Sequence, residues 1–277
     1  MKKTLLVLLL ALGVSAAASA GQTQKKFVLG NTDIVSVKSA YTGQTHELII
    51  VYPDSYWSNP DKKYPVLYFT DAYWDTPLLA SAYGNLVYDK MTPEFIMVGL
   101  SYPDGTDVGS ARVRDFTYTS MWTAPGSGKG DQFLNFLEKE VAPLIESKYH
   151  GDKDNRTLAG ASLGGLFTLG AAMKTPDFFT GYIALSPTVV WDSGAVFKLE
   201  DALARQHRPL KARVFISVGS LEPGQYRESI EQFEKQLATH QYKGLQLQSV
   251  TIQGMSHGTS KLEGYLRGLK WVWENRQ

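Results

Sequence analysis

Arg156-Thr157-Leu158-Ala159-Gly160-Ala161-Ser162-Leu163-Gly164-Gly165 decides the fold. A short apolar run enters Gly-x-Ser-x-Gly, and a helical pattern from Leu166 to Met173 follows at once. Strand, sharp turn and helix in that order lift a serine hydroxyl to the apex of a bend, where it can act as a nucleophile. A turn that tight needs a rarely populated backbone at the serine and no bulk two residues away on either side. Gly160 and Gly164 meet the second need.

Outward from this turn the chain alternates strands and helices. Glu47–Tyr52, Pro65–Thr70, Phe95–Leu100, Thr157–Ala159, Tyr182–Leu185, Val214–Val218 and Leu247–Ile252 are apolar, β-rich runs bounded by turn residues. Runs apolar almost throughout indicate strands covered on both faces, hence a mostly parallel central sheet with helices on either side, although the early strands need not be parallel. Helical spacing is clear over Asp131–Tyr149, with Pro143 expected to kink it or start a new turn, over Gln225–His240, and over Leu262–Trp273. Tyr102–Lys129 and Ser186–Arg208 read as long loops over the catalytic edge. The class is α/β, with active groups at the carboxyl ends of strands.

Composition narrows the setting. Lys2 and Lys3, the apolar stretch Leu5–Leu12 and Ala18-Ser19-Ala20 read as a signal peptide over residues 1–20, leaving one domain over 21–277 and a periplasmic or secreted protein. No stable membrane insertion is expected after cleavage. The 277 residues include no cysteine, which removes disulfides, thiolate catalysis and thiolate metal sites together. A formal net charge of +1, slightly acidic without the leader, gives no basic face for nucleic acid. Fifteen tyrosines and six tryptophans, many in polar loops, suit a cleft with aromatic walls for a small molecule. No metal-ligand spacing and no phosphate-binding Gly-x4-Gly-Lys motif is found, so no cofactor is expected.

A serine needs a base, and the base needs a group that orients it. The chain order in this type of fold is serine, acid, histidine. His207, His240 and His257 follow Ser162; the first two read as solvated, whereas His257 lies in Gly254–Gly258, directly after the last strand. His257 is therefore the candidate base. Glu222, just past Val214–Val218, is the candidate acid, with Asp192 as the alternative. The oxyanion donors expected are the backbone N–H of Leu163 and that of Ala72 or Tyr73, after an earlier strand.

These pieces resemble the esterase D-like branch of the α/β-hydrolase superfamily, nearest to enterochelin-type siderophore esterases and their periplasmic relatives. The resemblance is carried by Val66–Asp71, Arg112-Val113-Arg114-Asp115-Phe116-Thr117, Phe136–Ile145, Gly160–Gly165, Ser186-Pro187-Thr188-Val189-Val190-Trp191-Asp192 and Ser256-His257-Gly258. It implies a serine esterase working through Ser162 and His257, with Arg114 and Trp191 near the substrate. Ala72 stands where the family often has glycine, and some members work without the acid. An acyltransferase, a peptidase or a silent binding protein on the same scaffold are the competing readings. Oligomeric state is left open.

Overall fold

The computed structural model describes residues 28–274, so the expected leader lies outside the described residues. Among the described residues, the unit that begins at Asn31 carries every strand and helix named below. Eight strands make one sheet: β1 (Thr32–Lys38), β2 (Thr45–Val51), β3 (Tyr64–Phe69), β4 (Ile96–Ser101), β5 (Gly151–Ala161), β6 (Gly181–Leu185), β7 (Arg213–Gly219) and β8 (Gln246–Ile252). Their order across the sheet is β1-β2-β4-β3-β5-β6-β7-β8. The two pairings made by β2 are antiparallel. The rest, from β4 to β8, are parallel. This is the α/β-hydrolase arrangement the sequence predicts.

Eight α-helices cover the sheet: α1 (Ala72–Tyr88), α2 (Val108–Asp115), α3 (Gly130–Phe136), α4 (Ala142–Lys148), α5 (Leu163–Lys174), α6 (Trp191–Arg205), α7 (Gly224–Thr239) and α8 (Lys261–Trp273). Two cores result, one on each face. On one face Leu79 and Tyr83 of α1 pack with Tyr265, Leu269 and Val272 of α8 against Leu67, Phe69 and Ile183. On the other, Phe133, Ile145, Phe167, Val196 and Phe233 close over Val66, Leu158 and Val214. Central strands buried on both faces explain their unbroken apolar runs.

The stretch Asp131–Tyr149 folds as expected, with a physical cause for its break. A π-helical turn over Leu137–Val141 separates α3 from α4. Pro143 then sits at the start of α4, just past the widened turn, where the run continues in helical backbone conformation. The two long loops are corrected. Tyr102–Lys129 contains α2, capped by the Asp107 side chain accepting from Ser110 N–H at 3.2 Å. Ser186–Arg208 is largely α6. Asp192, Ser193 and Gly194 there hold positive φ of 46°, 54° and 78°, a left-handed kink that reads as a turn, but Ala195 onward continues as helix with Ala195, Val196 and Leu203 buried.

Candidate active site

Ser162 is the hinge between β5 and α5, at φ 57° and ψ −118°. An L-residue pays roughly 1–3 kcal/mol to sit in so sparsely populated a region. The packing that enforces it is visible at the two glycines. A Cβ on Gly160 would meet the Gly164 carbonyl at 2.5 Å, and one on Gly164 would meet Thr70 Oγ1 at 2.1 Å. The elbow is thus pressed against the end of β3. Thr70 N–H donates to Ala159 O across the strand pair (3.1 Å), so the turn after β3 lies beside the turn after β5. Asp71, in the left-handed region at φ 59°, makes that neighbouring turn, and Ala72 opens α1, fully buried. Both Ala72 and Leu163 are first residues of helices, so neither N–H has an intrahelical acceptor.

The histidine arrives from the far side. His257 follows β8, and Glu222 follows β7. His257 Nδ1 lies 2.7 Å from Glu222 Oε2. A carboxylate can only accept, so Nδ1 carries the proton and Nε2 keeps its lone pair. Glu222 is 1 % exposed at its side chain against 49 % for His257. Its other oxygen accepts from Ser186 Oγ at 2.6 Å and from Gly219 N–H at 2.8 Å. Burial alone would raise this carboxyl, but the hydrogen bonds from His257, Ser186 and Gly219 outweigh it and hold the pKa below the ordinary glutamate value. Tyr226 stands edge-on to the imidazole at 5.7 Å, and its hydroxyl donates to Ser186 O at 2.6 Å. Burial pushes that phenol up to about 12, so it stays protonated.

Ser162 and His257 line one cavity of about 170 Å³ with Asp71, Trp74, Arg112, Ala161, Gly258 and Lys261. The Ser162 hydroxyl faces Thr188 Oγ1 at 3.3 Å, and Thr188 N–H donates to Ser162 O at 3.1 Å. Two ion pairs stand at the wall. The Arg112 guanidinium reaches both Asp71 oxygens, at 2.6 and 3.1 Å. Lys261 pairs with Asp75, whose second oxygen accepts from Tyr265 Oη at 2.8 Å.

The structure therefore brings Ser162, His257, Glu222, Leu163 and Ala72 to one strand edge. It does not bring Arg114 or Trp191 into the serine's cavity. Arg114 folds back onto the neighbouring Asp115, at 2.8 Å for each of two contacts, and Trp191 Nε1 donates to Thr119 O at 3.3 Å. The guanidinium at the cavity is Arg112, two residues earlier, because residues two apart on α2 face different directions. Asp192, the alternative acid, lies in the α6 kink, while the carboxylate on His257 is that of Glu222. His240 is not simply solvated: its Nδ1 pairs with the fully buried Glu200 at 2.6 Å. Glu200, Asp201 and His240 are close enough to hold a cation. Their atoms are already committed, to one another, to Tyr242 Oη at 2.6 Å and to Gln236 Nε2 at 2.7 and 3.1 Å. His207 and His240 line a separate cavity of about 690 Å³ with Arg208, Lys211 and Lys243. Sequence reasoning missed Arg112, Asp71, Trp74, Thr188 and Lys261. Helical period in α2 and the place of Lys261 four residues after His257 were the available signals.

The sequence model of the family described as "Putative esterase" matches residues 39–258. The chain belongs to that family. The esterase is 26 % identical over 269 residues to the ferri-bacillibactin esterase BesA of Bacillus subtilis, a match covering 86 % of this chain and 88 % of that protein. It is 28 % identical over 181 residues to the siderophore triacetylfusarinine C esterase of Aspergillus fumigatus, covering 62 % of each. Among solved structures, the BES protein from Bacillus cereus superposes with a TM-score of 0.81 at 26 % identity, covering 90 % of this chain and 97 % of that one. The siderophore hydrolase EstB from Aspergillus nidulans superposes at 0.80 with 19 % identity, over 91 % and 98 %, a likeness of fold. This esterase is an ester hydrolase. No helix among its described residues is long and apolar enough to cross a membrane.

Proposed function

We propose that this is a serine esterase that opens the ester bonds of a siderophore through an acyl-serine intermediate. One observation supports the mechanism: buried Glu222 holds His257 Nδ1 at 2.7 Å, which leaves Nε2 as the ring nitrogen open to a second partner on an imidazole that lines the same cavity as Ser162. Ser162 Oγ turns from Thr188 to His257, gives its proton to Nε2 and attacks the ester carbonyl. The carbonyl oxygen becomes an oxyanion, met by the N–H groups of Leu163 and Ala72. The imidazolium, stabilised by Glu222, returns its proton to the leaving alkoxide as the carbon–oxygen bond breaks. Water then gives a proton to Nε2 and attacks the acyl-serine. Collapse expels Ser162 Oγ, which regains the proton, and the acid is released. Every step uses this chain's own groups.

The substrate class is supported by the relatives: BesA and the triacetylfusarinine C enzyme are both named for siderophore esters. Residues 1–20 as a cleaved leader would place the work in the periplasm or outside the cell. The test sets a ferric trilactone siderophore beside p-nitrophenyl esters of graded acyl length and a feruloyl sugar. The proposal expects the highest kcat/KM on the trilactone. Equal or lower efficiency there, with brisk turnover of simple esters, would leave a general carboxylesterase. Product analysis with added alcohols separates hydrolysis from acyl transfer.

A further inference from the structure

The Ala72 N–H and the imidazole of His257 are carried by separate elements, the start of α1 and the loop before α8, and a buried ion pair joins the two. Asp75 lies in the first turn of α1, four residues after Asp71, and Trp74 N–H and Asp75 N–H both donate to Asp71 O at 2.9 Å. Its side chain is 1 % exposed and is bonded by Lys261 and Tyr265 of α8. Lys261 is itself 12 % exposed and is the first residue of that helix. The residue before it, Ser260, donates its N–H to Ser256 O at 3.0 Å and its hydroxyl to His257 O at 3.3 Å. The backbone of His257 is thus fastened to the start of α8, and the start of α8 to the start of α1. The Lys261 ammonium also sits 4.8 Å from the Trp74 ring centre, holding an indole that is 65 % exposed at the cavity.

Such a link matters because acyl transfer needs the base and the oxyanion donors in register at once. A displacement of about 1 Å between them can cost about 100-fold in rate. Asp71 is already clamped from the other side by Arg112. With Asp75 free, α1 would keep the Arg112 clamp and the core packing of Leu79 and Tyr83 but lose the polar tie of its first turn to the start of α8, so that turn could shift relative to the histidine loop.

Resting on the esterase reading above, we infer that Lys261 is a positioning residue: through Asp75 it fixes the turn carrying the Ala72 N–H relative to the loop carrying His257. It acts through other residues and carries out no proton transfer itself.

Removing Lys261 alone would strand a buried carboxylate, so the test pairs changes. In the double variant Asp75→Asn with Lys261→Met, the amide still accepts from Tyr265 Oη and no unpaired buried charge remains. Steady-state kinetics on p-nitrophenyl acetate and thermal melting are measured for this variant, for Lys261→Arg, for Ser162→Ala and for the wild type. The inference expects the double variant to melt within about 5 °C of wild type, with kcat at least about 10-fold down and KM within about threefold. Lys261→Arg, which can still pair with Asp75, should recover most of kcat. A folded double variant with kcat within twofold of wild type would overturn the inference. So would a loss confined to KM, which would make Lys261 a substrate contact. A Ser162→Ala protein that still turns over would instead sink the esterase reading beneath it, and the inference with it.

Discussion

Replacing Glu222 by glutamine probes the hydrogen-bond geometry on which the mechanism depends, with almost no change of shape. Wild-type Glu222 accepts three hydrogen bonds, from Ser186 Oγ, Gly219 N–H and His257 Nδ1, at 2.6, 2.8 and 2.7 Å. A glutamine amide has one acceptor end and one donor end. With its NH2 toward Gly219 N–H, two donors would face each other in a buried place, at a cost of about 1–3 kcal/mol. With its oxygen toward Gly219 and Ser186, those bonds survive and the NH2 points at His257. Nδ1 must then accept, the proton moves to Nε2, and the nitrogen facing Ser162 can no longer take a proton. The second arrangement is the one packing favours. Stability should fall by no more than about 1 kcal/mol, since the bonds from Gly219 N–H and Ser186 Oγ persist. Activity should fall by about 10³- to 10⁴-fold, or roughly 4–5.5 kcal/mol of transition-state stabilisation. Turnover of p-nitrophenyl butyrate and thermal melting give the two readouts. A Glu222→Gln protein that melts like wild type yet keeps more than about a tenth of kcat/KM would refute this reasoning and favour a serine–histidine dyad.

Three further outcomes are expected. Gly164→Ala drives a methyl to 2.1 Å from Thr70 Oγ1, at the junction of the elbow and the β3 turn, so denaturant unfolding should register about 1–3 kcal/mol of destabilisation and activity should fall with it. Thr188→Val removes the hydroxyl that Ser162 faces at 3.3 Å; releasing one weak hydrogen bond should raise kcat/KM about two- to fivefold, read on the same ester. The third concerns acid stability. Burial, the largest influence, takes the His46 pKa down from 6.5 to about 4, with Asp115 and Glu140 opposing and Arg114 assisting. The unfolded chain binds this proton below about 6.5 while the folded one stays neutral until about 4, so stability falls as pH drops through that window, by up to about 3 kcal/mol. His46→Phe, which can keep the stack on Phe136 (4.5 Å in the wild type), should flatten that part of the profile in denaturant titrations between pH 7 and pH 4.

What the sequence made legible follows from how local each signal is. The elbow could be read because its strand, its glycines and its helix are contiguous, and the structure places Ser162 at φ 57° as such a turn requires. Glu222 and His257 were readable because each follows a strand of the sheet directly. The strand β1 was not: its residues alternate between half-buried and exposed at the sheet edge, so no apolar run announces it. The helix α1 hid behind an aromatic stretch and Pro77 in its first turns, and α6 behind Asp192-Ser193-Gly194, where the backbone does turn left-handed before the helix resumes. The wall of the cavity was beyond reach for a different reason. Arg112–Asp71 and Lys261–Asp75 join residues 41 and 186 positions apart. Nothing along the chain marks such pairs until the sheet order has put β3, α2 and α8 together.

The central claim is that Ser162 is the nucleophile and His257 its base. Reaction with a fluorophosphonate, followed by intact mass and peptide mapping, tests it most directly. One label per chain is expected, on Ser162, with ester turnover lost in step, no label on Ser162→Ala, and labelling slowed by orders of magnitude in His257→Ala. A label on another residue that abolishes activity, or undiminished turnover once Ser162 is modified, would contradict it.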